Sequence, residues 1–335
     1  MPDPLLLWRN PQTGFRRRLP LSKIRNAIAA KAEQKLNRLK PKSSPFIAVI
    51  DPTNACQLHC PLCPTGQGSE GRKKGMMKLD TVDRILKELG HTIIDAELDN
   101  WGEPFLNPDL YAIIAAFKNY KIHTAASTNL SFKEQLDPQE LVNCGLDHLI
   151  VSTDAARPKT YQKYRVGGDF ELVLENIKKV VETRKKRGSL RPFITMKFLV
   201  FPHNLAEQDE FNKLAHDLGA DRVQFQAPYF PEKMIERLYQ KITPEQIEKF
   251  ARPKPKRRNC HWLWTGVAIS WDGGVSPCCF GISYHSQFDF GNICSQSFRE
   301  IWTSDIYQQA RSVFLGKEPK DSRARFCFSC THRGG

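Results

Sequence analysis

No apolar stretch in this 335-residue chain approaches the roughly 18 residues needed to span a bilayer. The longest candidates, residues 193–201 and 111–117, are far too short, and Lys197 interrupts the first. A secretory leader is also missing, because Leu5 to Trp8 is a brief apolar patch followed by Arg16, Arg17 and Arg18, with neither an h-region nor a cleavage site. The expectation is a cytoplasmic address. Acid is scarce at the start: residues 1–45 hold only Asp3 and Glu33 against eleven Lys and Arg, and so carry nine of the net +14. Such a surplus favours anionic partners without choosing among them. No repeat of fixed period and no long low-complexity tract is present, which excludes solenoids. A hydrophobic content of 40% excludes disorder throughout and, at this length, supports about two domains. Ten cysteines in a reducing compartment point to metal ligation or thiol chemistry rather than disulfides.

From Phe46 onward, short β-branched runs alternate with longer amphipathic ones. Strands are predicted over 46–50, 92–98, 122–127, 147–153, 193–201 and 222–226. Helical segments between them carry start signals at Asn107-Pro108 and Asp137-Pro138, and stop signals at Gly90, Gly145, Gly188 and Gly219. Six βα units of this kind imply a parallel sheet with right-handed crossovers, either doubly wound or curled into a barrel. The rhythm stops after Gln226. A basic, proline-containing stretch from Arg252 to Arg258 reads as a linker to a cysteine-rich tail between Cys260 and Cys330.

Seven cysteines group by spacing. Cys56, Cys60 and Cys63 form C-x3-C-x2-C directly after the first strand. Three thiolates leave one tetrahedral position open, so they suit a 4Fe-4S cluster with one free iron, or a zinc ion completed by His59 or a distant residue. Cys260, Cys278, Cys327 and Cys330 make a closed set of four, fit for structural zinc or for a fully ligated cluster that moves electrons. Cys144, Cys279 and Cys294 are left over and read as small buried hydrophobes, except that Cys279 is tied by its neighbour to the second metal.

The cysteine triad after a first strand, followed by Trp101-Gly102-Glu103-Pro104 after the second, resembles the radical S-adenosylmethionine (radical SAM) superfamily. The resemblance implies a 4Fe-4S cluster on Cys56, Cys60 and Cys63 that binds S-adenosylmethionine (SAM). WGEP is similar to the family's GGEP motif, whose backbone contacts the methionyl amino group, with Trp101 in place of a glycine. Leu62 stands where the family often has an aromatic residue. By the same resemblance Ser127, Asn129 and Ser152 face the SAM ribose and substrate, Asp154 contacts substrate, and Arg165 holds the SAM carboxylate. The tail is similar to the SPASM and twitch class, implying a second, auxiliary 4Fe-4S cluster on Cys260, Cys278, Cys327 and Cys330. The expected fold is α/β: a partial (β/α)6 TIM-like barrel with a small C-terminal cysteine-rich SPASM/twitch domain. The expected division is a basic arm at 1–45, the barrel at 46–235, a linker at 236–259 and the auxiliary domain at 260–335.

Independently of the resemblance, Cys56, Gly102, Asn129 and Asp154 all follow the C-terminal ends of predicted parallel strands, the rim where active sites assemble in barrel-like folds. The leading functional expectation is dehydrogenation or epimerisation of a small polar metabolite such as a sugar or aminocyclitol, with the auxiliary cluster as electron relay, Cys279 as hydrogen donor and flavodoxin or ferredoxin as electron donor. The alternatives are a peptide-modifying SPASM maturase and, from a different class, a zinc-stabilised nucleic-acid-binding protein. Gly66, Gly68 and Gly71 satisfy G-x-G-x-x-G but follow a cysteine loop rather than a strand, which argues against a dinucleotide site. In the arm, Leu21, Ile24, Ile28, Ala32, Leu36 and Leu39 recur at helical spacing. That stripe is expected either to meet an anionic membrane leaflet or to pack against the barrel.

Overall fold

The computed structural model describes residues 5–68, 71–228, 260–279 and 285–330. β1 (Leu5–Arg9) and β2 (Arg16–Pro20) pair as an antiparallel hairpin, with Leu7 opposite Arg18, and lead into helix α1 (Leu21–Lys35). β3 (Ile47–Ile50), β4 (Asp95–Glu97), β5 (His123–Thr128), β6 (His148–Ser152), β7 (Phe193–Leu199) and β8 (Arg222–Gln226) then pair in chain order, all parallel. The crossovers are α2 (Leu79–Leu89), α3 (Leu110–Asn119), α4 (Pro138–Asn143), α5 (Pro158–Tyr164) with α6 (Phe170–Lys186), and α7 (Gln208–Asp217). This is the sequential parallel sheet of a partial (β/α)6 barrel. Local chemistry sets the helix starts: the Asp137 carboxylate accepts from the amides of Gln139 and Glu140 with Pro138 at the first turn, and Asp169 accepts from Leu172.

Period-two alternation divides each strand between two environments. Ala48, Ile50, Ala96, Leu98, Ala126, Leu149, Val151, Ile194, Met196 and Phe198 join one apolar core with the crossover helices. Many of the intervening positions are polar and meet one another inside the barrel: His123 Nδ1 lies 3.2 Å from Asp95, His148 Nε2 lies 2.8 Å from the Thr195 hydroxyl, and Ser127 and Ser152 are in hydrogen-bond contact at 3.3 Å. A sheet with a dry outer face and a polar lumen is built to hold a polar ligand.

The tail continues this sheet. After a short helix (Trp262–Thr265), β9 (Gly266–Ile269) pairs parallel with β3, and β10 (Gly274–Ser276) and β11 (Gly291–Asn292) add antiparallel strands beyond it. The sequence-predicted linker at 252–258 lies outside the described residues. Among the described residues no helix is long and apolar enough to cross a membrane.

The arm underlies the N-terminal ends of the barrel strands. Arg17 reaches the fully buried Asp147 at 2.6 Å, where Lys118 and Arg191 also converge at 2.7 and 2.9 Å. Burial alone would raise the Asp147 pKa, but these cations override it and hold the carboxyl below its usual range. Helix α1 packs through Lys23, Ala30, Glu33 and Gln34 rather than through its apolar stripe. Lys23 donates to the Ile93 and Tyr120 carbonyls at 2.5 and 2.7 Å, Asn26 exchanges two 2.9 Å hydrogen bonds with Ser44, and Glu33 accepts from Ser43 Oγ at 2.6 Å. The packing expectation is therefore corrected in its face: the helix does lie on the barrel, but by its polar side. Satisfying the exposed backbone groups at the strand starts outweighed burial of a few aliphatic side chains.

Arg311 ties the tail to the rest. Its guanidinium is fully buried, donates to the carbonyls of Leu263, Leu39 and Trp302 at 2.8, 2.9 and 2.8 Å, and stacks on the Trp302 and Tyr307 rings at 4.4 and 4.8 Å. Replacing it by Met strips three buried carbonyls of their donor and should cost about 3 kcal/mol. Urea unfolding of the Arg311→Met protein checks this, and a wild-type midpoint would contradict it.

Candidate active site

The loop that leaves β3 carries Cys56, Cys60 and Cys63, and all three line a cavity of about 270 Å³ at the C-terminal ends of the strands. Its backbone is tightly specified. The Cys63 amide donates to the Cys60 carbonyl at 3.1 Å, His59 donates to Val166 at 2.9 Å, and a Cβ on Gly66 would fall 2.6 Å from the Cys60 amide nitrogen. Leu58, Cys60, Leu62, Tyr164 and Phe201 form a separate small apolar cluster around the thiols. Leu62 thus supplies wall rather than ring.

The WGEP turn lies directly on this loop. Glu103 N donates to the Ala55 carbonyl at 2.8 Å, and a Cβ on Gly102 would sit 1.8 Å from the Thr53 carbonyl oxygen, so only glycine permits the contact. Glu103 is buried and its carboxylate is spent internally, on Thr128 Oγ1 at 2.6 Å, the Asn129 amide at 2.8 Å and the Phe105 amide at 3.3 Å. Pro104 is buried behind it at the start of a 3-10 turn (Pro104–Leu106). The buried Asp51 accepts from the Trp101 and Gly102 amides, and burial pushes its carboxyl up to about 7.

Strand ends supply the opposite wall. Ser127, Asn129, Ser152 and Arg165 all line the cavity. Asn129 Nδ2 lies 3.8 Å from the Cys56 sulfur and Arg165 NH1 lies 3.9 Å from that of Cys60, so both aim donors at thiol sulfur. Asp154 takes the left-handed conformation at φ 60° and lies behind the wall. One of its oxygens pairs with Arg165 at 2.5 Å and the other accepts from the Leu199 amide at 2.6 Å. Its carboxylate is committed to holding Arg165.

Asp99 and Lys197 at this cavity, and Glu97 next to them, were not singled out as site residues from the sequence. Alternation along β4 places Asp95, Glu97 and Asp99 on the lumen face, while Ala96 and Leu98 enter the core. Asp99 lines the cavity with Lys197. The Ser127 amide donates to Asp99 at 2.7 Å, and burial together with neighbouring Glu97 pushes the Asp99 carboxyl up to about 8. Burial raises the Glu97 carboxyl as well, against the pull of Lys197. The D-A-E-L-D alternation at 95–99 was the available signal. The Cys279 thiol, in the tail, is pushed up to about 12 by burial and then by Glu97.

In the tail, the charge of Cys330 acts on the half-buried Cys260 thiol, and Cys278 and Cys327 both act on the Tyr307 phenol. Among the described residues, no three His, Cys, Asp or Glu side chains close round a point as a single ion would require. Thiols spread around a cavity, with hydrogen-bond donors aimed at sulfur, fit a multi-iron cluster whose sulfurs accept such bonds. Arg72, in the stretch following the cysteine loop, joins the two regions through Asp272 and Asp289, each at 2.5 Å.

Comparison with known proteins agrees. Residues 50–215 match the family model of the radical SAM superfamily, and residues 260–331 match SPASM, an iron-sulfur cluster-binding domain. The chain is 24% identical over 315 residues to a PqqA peptide cyclase of Gluconobacter oxydans, covering 87% of this chain and 84% of that one. It is also 24% identical over 303 residues to the tungsten-containing aldehyde ferredoxin oxidoreductase cofactor-modifying protein of Pyrococcus furiosus, covering 79% and 82%. A probable GTP 3',8-cyclase of Methanocaldococcus jannaschii matches at 24% over 68% of this chain and 83% of that one. Among solved structures, Streptococcus suis SuiB bound to its precursor peptide SuiA superposes with a TM-score of 0.63 at 16% identity, over 92% of this chain and 74% of that one.

Two 4Fe-4S clusters predict about eight irons per chain after anaerobic reconstitution. Replacing Cys56, Cys60 and Cys63 together by Ala should remove about half of that iron and all 5'-deoxyadenosine formation. Iron analysis and chromatography of the SAM products check this, and undiminished SAM cleavage would contradict it.

Proposed function

The chain belongs to the radical SAM superfamily and is an enzyme with 4Fe-4S clusters and SAM as cofactors, and from that premise we propose that it modifies a peptide substrate by abstracting hydrogen from one of its carbons. The end-to-end resemblance to PqqA peptide cyclase carries this reading, and it favours the peptide alternative over the small-metabolite expectation. The polar lumen beside the cofactor cavity supports it, because a peptide carbonyl is an acceptor for the donors Asp99 and Lys197 that line it. A small polar metabolite is the second reading, favoured by the resemblance to GTP 3',8-cyclases.

In this reading Cys56, Cys60 and Cys63 hold the cluster that binds SAM, and Cys260, Cys278, Cys327 and Cys330 hold the auxiliary one. When bound, these groups supply the reducing electron, the carbon-centred radical that takes hydrogen, and an acceptor for the electron left on the substrate. The protein's own residues do the positioning. Asp51, which accepts from the Trp101 and Gly102 amides, and Glu103, which accepts from Thr128 and Asn129, hold the WGEP turn so that its backbone faces the cavity for the methionyl amine. Arg165, clamped by Asp154, presents its cation to the SAM carboxylate. Ser127, Asn129 and Ser152 line the ribose side, and Tyr164 with Leu58 and Leu199 keeps water from the reacting carbon. Asp99, its carboxyl pushed up to about 8 by burial and Glu97, can donate to a substrate carbonyl across the cavity from Lys197. Cys279, whose thiol is influenced by Glu97 and Asp99, would return a hydrogen where the outcome is inversion. A flavodoxin or ferredoxin would deliver the first electron. The division into arm, barrel, linker and auxiliary domain at 1–45, 46–235, 236–259 and 260–335, and a cytoplasmic setting, belong to the same reading.

Reconstituted enzyme incubated with SAM, a reductant and a mixed-sequence peptide pool should form 5'-deoxyadenosine well above its uncoupled rate and leave a peptide lighter by two hydrogens in the mass spectrum. Loss of Cys327 or Cys330 should spare SAM cleavage and abolish the mass change. Stimulation by a sugar or aminocyclitol pool alone would replace the peptide reading with the metabolite one.

A further inference from the structure

The arm leaves its apolar stripe open. Leu7, Ile28 and Leu36 are 65%, 65% and 73% exposed, and Ile24 and Ala32 continue the row between them. Leu7, Trp8, Ile24, Ile28 and Ala32 border a groove of about 800 Å³ between the hairpin and α1, whose rim includes Lys31 and Lys35. Because α1 is fastened by Lys23, Asn26 and Glu33 on its other side, the stripe cannot roll inward without breaking that set of hydrogen bonds. Asp95, at the start of β4, forms the floor of this groove, whereas Asp99, past the end of the same strand, lines the cofactor cavity. The two surfaces therefore lie at opposite ends of the barrel.

Charge says what would cover the stripe. Lys31 and Lys35 line it, Arg18 stands opposite Leu7, and Arg16, Arg25 and Lys40 of the same arm are exposed, whereas Glu33 is buried against Ser43 and Asp95 is engaged by Asn10 and His123. A second copy of the chain would bring an equally cationic face against this one and be repelled. Nucleic acid would use the charge but not the aliphatic row. A surface that is anionic outside and hydrocarbon within uses both, with lysine and arginine stems flanking inserted Leu and Ile and an aromatic ring at the boundary. We infer that the hairpin and α1 form a docking face for an anionic lipid leaflet, which seats the barrel by its bottom and leaves the cofactor cavity open on the far side.

The test is co-sedimentation of the reconstituted full chain with vesicles of phosphatidylcholine containing about one-third phosphatidylglycerol, and with vesicles of phosphatidylcholine alone. Binding to the first and not the second is expected, weakening as salt rises. Because Ile28 and Leu36 are exposed, the double variant Ile28→Glu with Leu36→Glu should fold normally, keep its 5'-deoxyadenosine formation and lose at least about tenfold in vesicle affinity. A Lys31→Glu, Lys35→Glu variant should lose a similar factor. Failure to bind anionic vesicles, or binding that both variants leave unchanged, overturns the proposal. So does self-association in sedimentation velocity, or capture of an acidic helical peptide, that the Glu variants abolish in the absence of any vesicle binding. None of these results bears on peptide modification, which is read separately from its mass change.

Discussion

Backbone meets backbone where Gly102 lies against the Thr53 carbonyl, and the cofactor cavity depends on that approach. The turn after β4 and the cysteine loop after β3 come from different βα units. They act as one surface because a residue without a side chain stands between them and the Glu103 amide reaches Ala55. From this contact the rest propagates. Asp51 holds the Trp101 and Gly102 amides from below, and Glu103 links the turn to Thr128 and Asn129 at the end of β5. Asn129 then reaches toward Cys56, and Gln57 donates back to the Asn129 side chain at 2.9 Å. Three strand ends are thereby locked into one ring of hydrogen bonds.

Such a ring is expensive. Burial pushes both Asp51 and Glu103 up to about 7, and Arg165 is buried with a single carboxylate partner in Asp154. Buried ionisable groups contribute little to net stability, so their concentration at one end of the barrel is the mark of a site that positions charge. The opposite end shows the contrasting use of the same chemistry: Asp147 with Arg17, Lys118 and Arg191 fastens the arm beneath the strands.

Much of this was legible in the sequence. Residues 222–226 form the strand their pattern predicts, Asp137-Pro138 caps and starts α4, and Cys56, Gly102 and Asn129 meet where separate strand ends should converge. What escaped was non-local or compensated. Nothing in Gly266–Ile269 says that it pairs with Ile47–Ile50, because strand partners across two hundred residues are chosen by the whole sheet. Helix α1 defeated its own periodicity, since Lys23 found two backbone carbonyls that an aliphatic side chain could not satisfy. Glu97 and Asp99 carried no signal beyond their alternation with Ala96 and Leu98, and only the folded sheet brings them beside Lys197.

The claim that the cavity rests on the contact between the WGEP turn and the cysteine loop is tested most directly by SAM binding to the Gly102→Ala protein. Isothermal titration of anaerobically reconstituted enzyme should show SAM affinity reduced by more than about tenfold, the counterpart of ~1.4 kcal/mol, while iron content stays at the wild-type value. Wild-type SAM affinity in that variant would contradict the account.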